Sequence, residues 1–109
     1  MEKNVRMCML LDSYSPLLTQ KQRECMQLYY EEDLSLSEIS ELLGISRQGV
    51  RDCLKKAENT LEHMEKELGL LRNSLRLERL LDRLRELKLP EVDELIAQFK
   101  QASEDDNGI

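Results

Sequence analysis

Four long polar side chains stand close together near the middle of the chain: Arg47, Gln48, Arg51 and Lys55. An arginine can donate two hydrogen bonds to the edge of a guanine, and a glutamine can pair in the same way with an adenine. A lysine offers a point charge that suits a backbone phosphate. This set of donors could therefore read nucleic acid, provided that one helix face presents all four.

A helix beginning at Arg47 would separate these donors from an apolar face. At about 100° per residue, the apolar side chains fall within about 40° of Val50, whereas the four donors project about 60° to 160° away from it. The apolar set is Val50, Leu54, Ala57 and Leu61. The pattern is that of a recognition helix, with one face buried and the other offered to a groove. The alternative is an amphipathic helix with a solvated basic face.

The residues before this helix predict the partner that a helix-turn-helix requires. Ser35 and Glu38 form a capping box, which starts a helix whose end is marked by Gly44. Ser46 can then cap the next helix, so that only three residues, Gly44 to Ser46, separate the two. We therefore predict a helix-turn-helix over residues 35–56.

The rest of the chain also has helical periodicity, which predicts an all-α fold. A helix from Asn4 to about Tyr14 and one capped by Thr19 would complete a three-helix core around a long recognition helix that ends at Gly69. The predicted organisation is a helix-turn-helix domain over 1–69, a C-terminal helical extension over 70–102 and a disordered acidic tail over 103–109. In the extension, one helix through Leu87 ends at Pro90 and another follows.

The charge is unevenly distributed along the chain. The net charge is −6, yet residues 46–56 and 68–90 each carry +3, while residues 91–109 carry −5. An acidic protein can hold a basic reading surface, but its non-specific attraction to phosphates should be weak. Strong independent binding to DNA is therefore not expected.

Four segments carry a resemblance to region four of bacterial sigma factors, the domain that reads the upstream promoter element through its last helix. They are Thr19-Gln-Lys-Gln-Arg23, Leu28-Tyr-Tyr30, Ser35-Leu-Ser-Glu-Ile39 and Leu43-Gly-Ile-Ser-Arg-Gln48. The resemblance implies that Arg47, Gln48 and Arg51 contact base edges. It also implies that Lys55 and Arg23 lie nearer the phosphates, with the helix start at Ser35 as a further phosphate contact. The chain lacks the other sigma regions and so is not a complete sigma factor.

Over its full length the sequence resembles the small YlxM-type family of bacterial proteins, which are expected to bind DNA. The resemblance includes Asp52-Cys-Leu-Lys-Lys-Ala57 and Glu65-Lys-Glu-Leu-Gly69. Genes of this family are associated with those of the signal recognition particle GTPases. The resemblance thus implies a regulatory or accessory role in that pathway.

A second basic surface is predicted in the extension. Its arginines recur at steps of four, three and four, and fall within about 40° of the first of them on a helix: Arg72, Arg76, Arg79 and Arg83. One interpretation is a surface for the RNA of the particle or for a partner protein, and the other is a solvated face with acidic neighbours. The leucines of the same helix and the apolar face around Phe99 either fold back on the recognition helix or pair two copies as a homodimer.

Two functions follow as hypotheses: a DNA-binding transcription regulator, or a protein or RNA adaptor of the signal recognition particle machinery that uses the C-terminal helices. Nothing indicates an enzyme, a cofactor or a metal site, because His63 is isolated and no nucleophile or phosphate-loop motif occurs. The three cysteines match no zinc or redox spacing and suggest reduced thiols in a cytoplasmic protein. Arg6 interrupts the only apolar stretch near the start, and no membrane insertion is expected.

Overall fold

The computed structural model describes the backbone of residues 4–107 and the side chains of residues 4–102. Over this range the chain is helical and has no strand, which confirms the predicted all-α fold. A 3-10 turn, Ser15–Leu17, joins the first two helices, and a wide π-type turn, Gln27–Glu31, extends the second. The helices are α1 Val5–Tyr14, α2 Gln20–Met26, α3 Leu36–Leu43, α4 Arg47–Leu68, α5 Leu70–Arg85 and α6 Pro90–Asn107.

Side-chain caps start the helices at the predicted residues. At α2, Gln22 N donates to Thr19 Oγ1 and Thr19 N donates to Gln22 Oε1, both at 3.2 Å. At α3 the corresponding bonds between Ser35 and Glu38 are both 3.1 Å. These reciprocal bonds satisfy amide donors that a helix start leaves without intrahelical partners. The predicted capping box at Ser35 and the predicted cap at Thr19 are both confirmed.

The core of the first part of the chain forms around α4, which contacts α1, α2 and α3. Val50, Ala57 and Leu61 are fully buried on one face of α4, and Leu54 is nearly so. They pack in one cluster with apolar residues of the other helices. The predicted core face of the recognition helix is therefore confirmed as far as Leu61.

Beyond Leu61 the buried face of α4 ends in a polar network, which the sequence did not reveal. Met64 is still partly buried against the core, but Leu68 is exposed and Glu65 is buried. Glu65 Oε1 accepts hydrogen bonds from Tyr14 Oη at 2.7 Å and from Leu71 N at 3.0 Å, and Tyr14 Oη accepts from Leu70 N at 2.9 Å. Gly69 ends α4 at φ 66° and has no side chain to cap α5. The side chains of Tyr14 and Glu65 therefore satisfy the first amides of α5.

The chain divides into two compact units after Leu71. The boundary predicted from the sequence stands earlier, between Gly69 and Leu70; Leu71 belongs to the core cluster of the first unit. In the second unit, Lys100 Nζ of α6 lies 3.4 Å from Glu78 Oε1 of α5. The two helices are joined by a short turn and form an antiparallel hairpin.

Three details of the second unit differ from the sequence prediction. The helix α5 ends at Arg85 instead of continuing through Leu87, because Lys88 takes a left-handed φ of 55° and its amide closes a tight turn onto Arg85 O. Pro90 begins α6 instead of ending α5, since its fixed φ and missing N–H suit the first helical position. The helix α6 runs to Asn107, past the predicted start of the tail at residue 103, because no Pro or Gly interrupts it before Gly108. The last two residues of that tail, 108 and 109, lie outside the described residues.

Candidate nucleic-acid interface

The turn between α3 and α4 sets the position of the recognition helix. Gly44 adopts the left-handed conformation at φ 67°, and the amides of Gly44 and Ile45 both donate to Ser40 O, at 3.0 and 3.2 Å. The Ser40 hydroxyl donates to Ile45 O, so the same serine holds both sides of the turn. Ser46 Oγ then accepts from Gly49 N at 2.9 Å and caps α4. The predicted helix-turn-helix geometry is present over residues 35–56.

The start of α4 presents the predicted donors to solvent. Arg47, Gln48, Arg51 and Lys55 are all exposed, on the side of α4 away from its buried apolar face. Within the part of the chain whose side chains are described, Arg47 and Arg51 have no ion-pair or hydrogen-bond partner. Their guanidinium groups are thus available to an external acceptor.

A cleft of about 590 Å³ brings the recognition helix together with the start of α3. Its lining combines four of the six side chains predicted to bind DNA with two neighbours from α3: Ser35, Leu36, Ser37, Arg47, Gln48 and Arg51. The first amides of a helix carry partial positive charge and lack intrahelical acceptors, so they complement an anion. The cleft therefore offers two guanidinium groups and a helix start to the same ligand.

Gln48 and Asp52 make one contact that bears on base reading. Gln48 Nε2 donates to Asp52 Oδ1 at 2.9 Å, across one turn of α4. The side-chain amide of Gln48 is therefore oriented along the helix surface, and Asp52 is the acidic residue in an otherwise basic stretch.

Lys55 lies outside the main cleft. It lines a neighbouring groove with Arg51, Glu58 and Tyr30, among others. Tyr30 Oη donates to Glu58 Oε1 at 3.3 Å, and burial is the main cause that raises the pKa of both groups. For Glu58 the hydrogen bond from Tyr30 opposes this rise. Lys55 thus lies at the edge of the basic surface, in the same groove as the half-buried Glu58.

Arg23 is not brought to the cleft. Its Nε donates to Ser15 O and its Nη2 donates to Leu18 O, both at 3.2 Å. The guanidinium group closes the end of the 3-10 turn before α2, which gives Arg23 a structural role that the sigma resemblance did not imply. The phosphate contact that the resemblance implies for Arg23 is thus replaced, in this structure, by contacts within the chain.

Two lysines that the sequence analysis did not select lie near the donors of the recognition helix, one on α2 and one on α4 itself. Lys21 and Lys56 line a second cleft together with Gln22, Gly49 and Asp52, among others. Lys21 could have been selected from the sequence, because it is a cation in the first turn of the capped helix α2. For Gly49 the structure gives a packing reason: a Cβ would meet Ser46 Oγ at 3.2 Å, so glycine leaves room for the cap.

The arginine stripe of α5 is exposed along its length. Its acidic neighbour Asp82 pairs with Arg85, at 2.8 Å, and not with a member of the stripe. Among the described side chains, Arg76, Arg79 and Arg83 have no ion-pair partner. The stripe is thus less neutralised by its neighbours than the sequence suggested.

The described residues contain neither a cluster suited to a metal ion nor a helix suited to a membrane span. In this range, no group of three or more His, Cys, Asp or Glu residues is placed to hold a metal ion. None of the helices described is both long enough and apolar enough to cross a membrane.

The two capped helices, their glycine turn and the exposed donors of α4 define a helix-turn-helix protein. Residues 1–102 match the UPF0122 family, whose description reads "Putative helix-turn-helix protein, YlxM / p13 like". The chain belongs to this family, which confirms the YlxM-type resemblance.

Relatives from several bacteria support the assignment. A UPF0122 protein of Thermoanaerobacter sp. (strain X514) is 52% identical over 79 residues, which is 72% of this chain and 68% of the relative. One of Clostridium botulinum (strain Alaska E43 / Type E3) is 48% identical over 89 residues, 81% of this chain and 82% of the relative. One of Bacillus mycoides (strain KBAB4) is 45% identical over 104 residues, 95% and 94% of the two chains.

Proposed function

We propose that this protein is a DNA-binding transcription regulator that uses α3 and α4 to read DNA. The observation that carries the proposal is the shared cleft, in which Arg47, Gln48 and Arg51 meet the start of α3 at Ser35. In a complex, the three α4 side chains contact base edges and the amides at Ser35 hold a phosphate. Lys55 and Lys56 add phosphate contacts beside the cleft, and Arg23 acts only by supporting α2.

The charge distribution supports a reader with modest affinity. The recognition stretch is locally basic, at +3 over residues 46–56, in a chain of net charge −6. Long-range repulsion opposes approach to DNA, so most of the binding free energy comes from close contacts at the cleft.

The experiment compares DNA binding by the native chain and by the double variant Arg47→Ala/Arg51→Ala. DNA ligands are first enriched from a random-sequence pool with the native protein, and affinity is then measured by fluorescence anisotropy. Each bidentate arginine contact is worth about 1–3 kcal/mol, so the double variant should bind at least about thirtyfold more weakly. Both arginines are exposed and unpaired among the described side chains, and helicity should be unchanged.

A matched control removes the same charge elsewhere. Lys66→Ala/Arg85→Ala also loses two positive charges, from exposed residues that do not line the cleft. If the control weakens binding as much as the cleft variant, only general electrostatics is being measured and the proposed reading role is wrong. Normal binding by the cleft variant would contradict it directly.

We place this activity in the cytoplasm and in the signal recognition particle pathway, and the support for the pathway is the gene association that the YlxM-type resemblance implies. A second candidate function is an adaptor that binds protein or RNA components of the particle through α5 and α6. The exposed arginines Arg76, Arg79 and Arg83, without ion-pair partners among the described residues, favour it.

Crosslinked pull-down from native cells separates the two functions. A regulator recovers DNA, and recovery is lost in Arg47→Ala/Arg51→Ala. An adaptor recovers particle components, and recovery is lost in Arg76→Ala/Arg79→Ala but kept in the cleft variant. Point variants are preferable to removal of the C-terminal helices, because Leu70 and Leu71 bond to the network of the first unit.

A further inference from the structure

One face of the α5–α6 hairpin carries large apolar side chains that the second unit leaves exposed. Leu80 is 54% exposed, Leu95 64% and Phe99 49%. The buried residues Leu81 and Ile96 show where the two helices face each other. The exposed leucines and the phenylalanine are therefore not part of the seam inside the hairpin.

Helical geometry places these three side chains on one face. Around the axis of α5, Leu80 lies about 100° from Leu81, the residue that faces α6. Around the axis of α6, Leu95 and Phe99 lie about 100° and 60° from Ile96, in the same rotational sense. In an antiparallel pair, equal rotational senses point to the same face of the hairpin. Leu80, Leu95 and Phe99 therefore form one strip, which we call the hairpin strip. The opposite rotational sense leads to Glu78 and Lys100, whose ion pair marks the other face.

The two edges of the hairpin strip carry opposite charges. On the α5 edge stand three exposed arginines, and on the α6 edge stand two exposed glutamates: Arg76, Arg79 and Arg83 against Glu91 and Glu94. We call them the basic rim and the acidic rim. A face with an apolar centre, one basic rim and one acidic rim is complementary to itself.

We propose that a second copy of this chain covers the hairpin strip, with the two-fold axis parallel to the long axis of the hairpin. Rotation about that axis brings the basic rim of each copy against the acidic rim of the other, as an isologous interface requires. A two-fold axis across the hairpin would instead place basic rim against basic rim. The charges thus select one of the two ways in which the strips can face each other.

The size of the face is compatible with this interface. The helix α5 has 16 residues, and so is about 24 Å long, and two adjacent helices are about 20 Å wide. A face of these dimensions on each copy gives roughly 1,000 Å² in total, the lower limit of a specific interface. We therefore expect a dimer that dissociates at micromolar concentrations, and this does not depend on whether the protein binds DNA.

The test uses the full chain and two rim variants. Arg79→Glu/Arg83→Glu gives a copy with two acidic rims, and Glu91→Lys/Glu94→Lys gives a copy with two basic rims. Each variant should remain monomeric in sedimentation velocity at concentrations where the native chain dimerises. An equimolar mixture of the two should form a heterodimer, because both edges are then complementary.

Failure of the two variants to associate when mixed, despite native helicity in both, would overturn the proposal. So would a native chain that stays monomeric, or one whose basic rim is instead occupied by RNA recovered with the purified protein. A variant of the apolar strip adds a second readout. Leu80→Ser/Phe99→Ser should weaken the dimer at least about a hundredfold, because each substituted residue is lost from both copies in the interface. Leu75→Ser, on the opposite side of α5, is the matched control and should leave the dimer intact.

Discussion

Replacing Tyr14 by Phe tests the buried network at the start of α5. The tyrosine is fully buried, donates to Glu65 Oε1 at 2.7 Å and accepts from Leu70 N at 2.9 Å. Phenylalanine keeps the ring and removes only the hydroxyl. It weakens the bonding of a buried carboxylate and removes the acceptor of the Leu70 amide. A hydrogen bond to a charged group contributes about 1.5–3 kcal/mol, so we expect a loss of about 2–3 kcal/mol in the free energy of unfolding.

Urea unfolding followed by circular dichroism measures this loss. For an m-value of about 1.5 kcal/mol/M, the expected loss moves the midpoint down by roughly 1.3–2 M. Hydrogen exchange gives a local readout, because the Leu70 and Leu71 amides should exchange faster in the variant.

A second Tyr→Phe change provides the comparison. Tyr30 is only partly buried, and its hydroxyl donates to Glu58 over a longer 3.3 Å. We expect Tyr30→Phe to cost less than about 1 kcal/mol. Equal costs for the two changes, or unaltered exchange at Leu70 in Tyr14→Phe, would refute the role assigned to the network.

Three further predictions concern the turn, the thiols and the salt dependence of binding. Gly44→Ala should cost about 1 kcal/mol in a urea titration, because φ is +67° while nothing within 4 Å of the new Cβ would clash; Gly44→Asn should cost less. Burial raises the pKa of Cys25 to about 12, so the folded chain holds this proton more tightly than the unfolded chain. The contribution of this thiol to stability should therefore be constant below about pH 9 and fall as the pH rises toward 12, and Cys25→Ala should reduce the loss of stability in that range; a slope that is unchanged in the variant would contradict it. Binding to DNA should weaken with salt at a log–log slope no steeper than about −5 for each helix-turn-helix, since five cations line the two clefts and the neighbouring groove; a much steeper slope would mean that the interface is larger.

The parts of the fold that the sequence predicted are those set by local rules. The capping boxes at Thr19 and Ser35 and the left-handed Gly44 each depend on residues within four positions of one another, and all are present. The core face of α4 follows from helical periodicity, which is equally local. A short sequence window contains all the information that these features need.

The features that the sequence did not predict depend on contacts between distant segments. Glu65 is buried because Tyr14, separated from it by 51 positions, supplies a hydrogen bond. Arg23 occupies a position that matches the sigma pattern, yet the carbonyls before α2 take its guanidinium group. The end of α5 depends on one left-handed residue, Lys88, a type that rarely adopts this conformation. Periodicity and motif matching carry no information on any of these.

The hydrogen bond between Gln48 and Asp52 has a consequence for selectivity in the proposed complex. The isolated protein already supplies the Gln48 amide with an acceptor, at 2.9 Å. That bond uses one of the two Nε2 hydrogens and leaves the other hydrogen and Oε1 for a base. Asp52 therefore fixes the orientation of the amide before DNA arrives, so less side-chain freedom is lost on binding. A base whose donor and acceptor do not match this orientation can bond to Gln48 only after the contact with Asp52 is broken, and incorrect sequences are penalised.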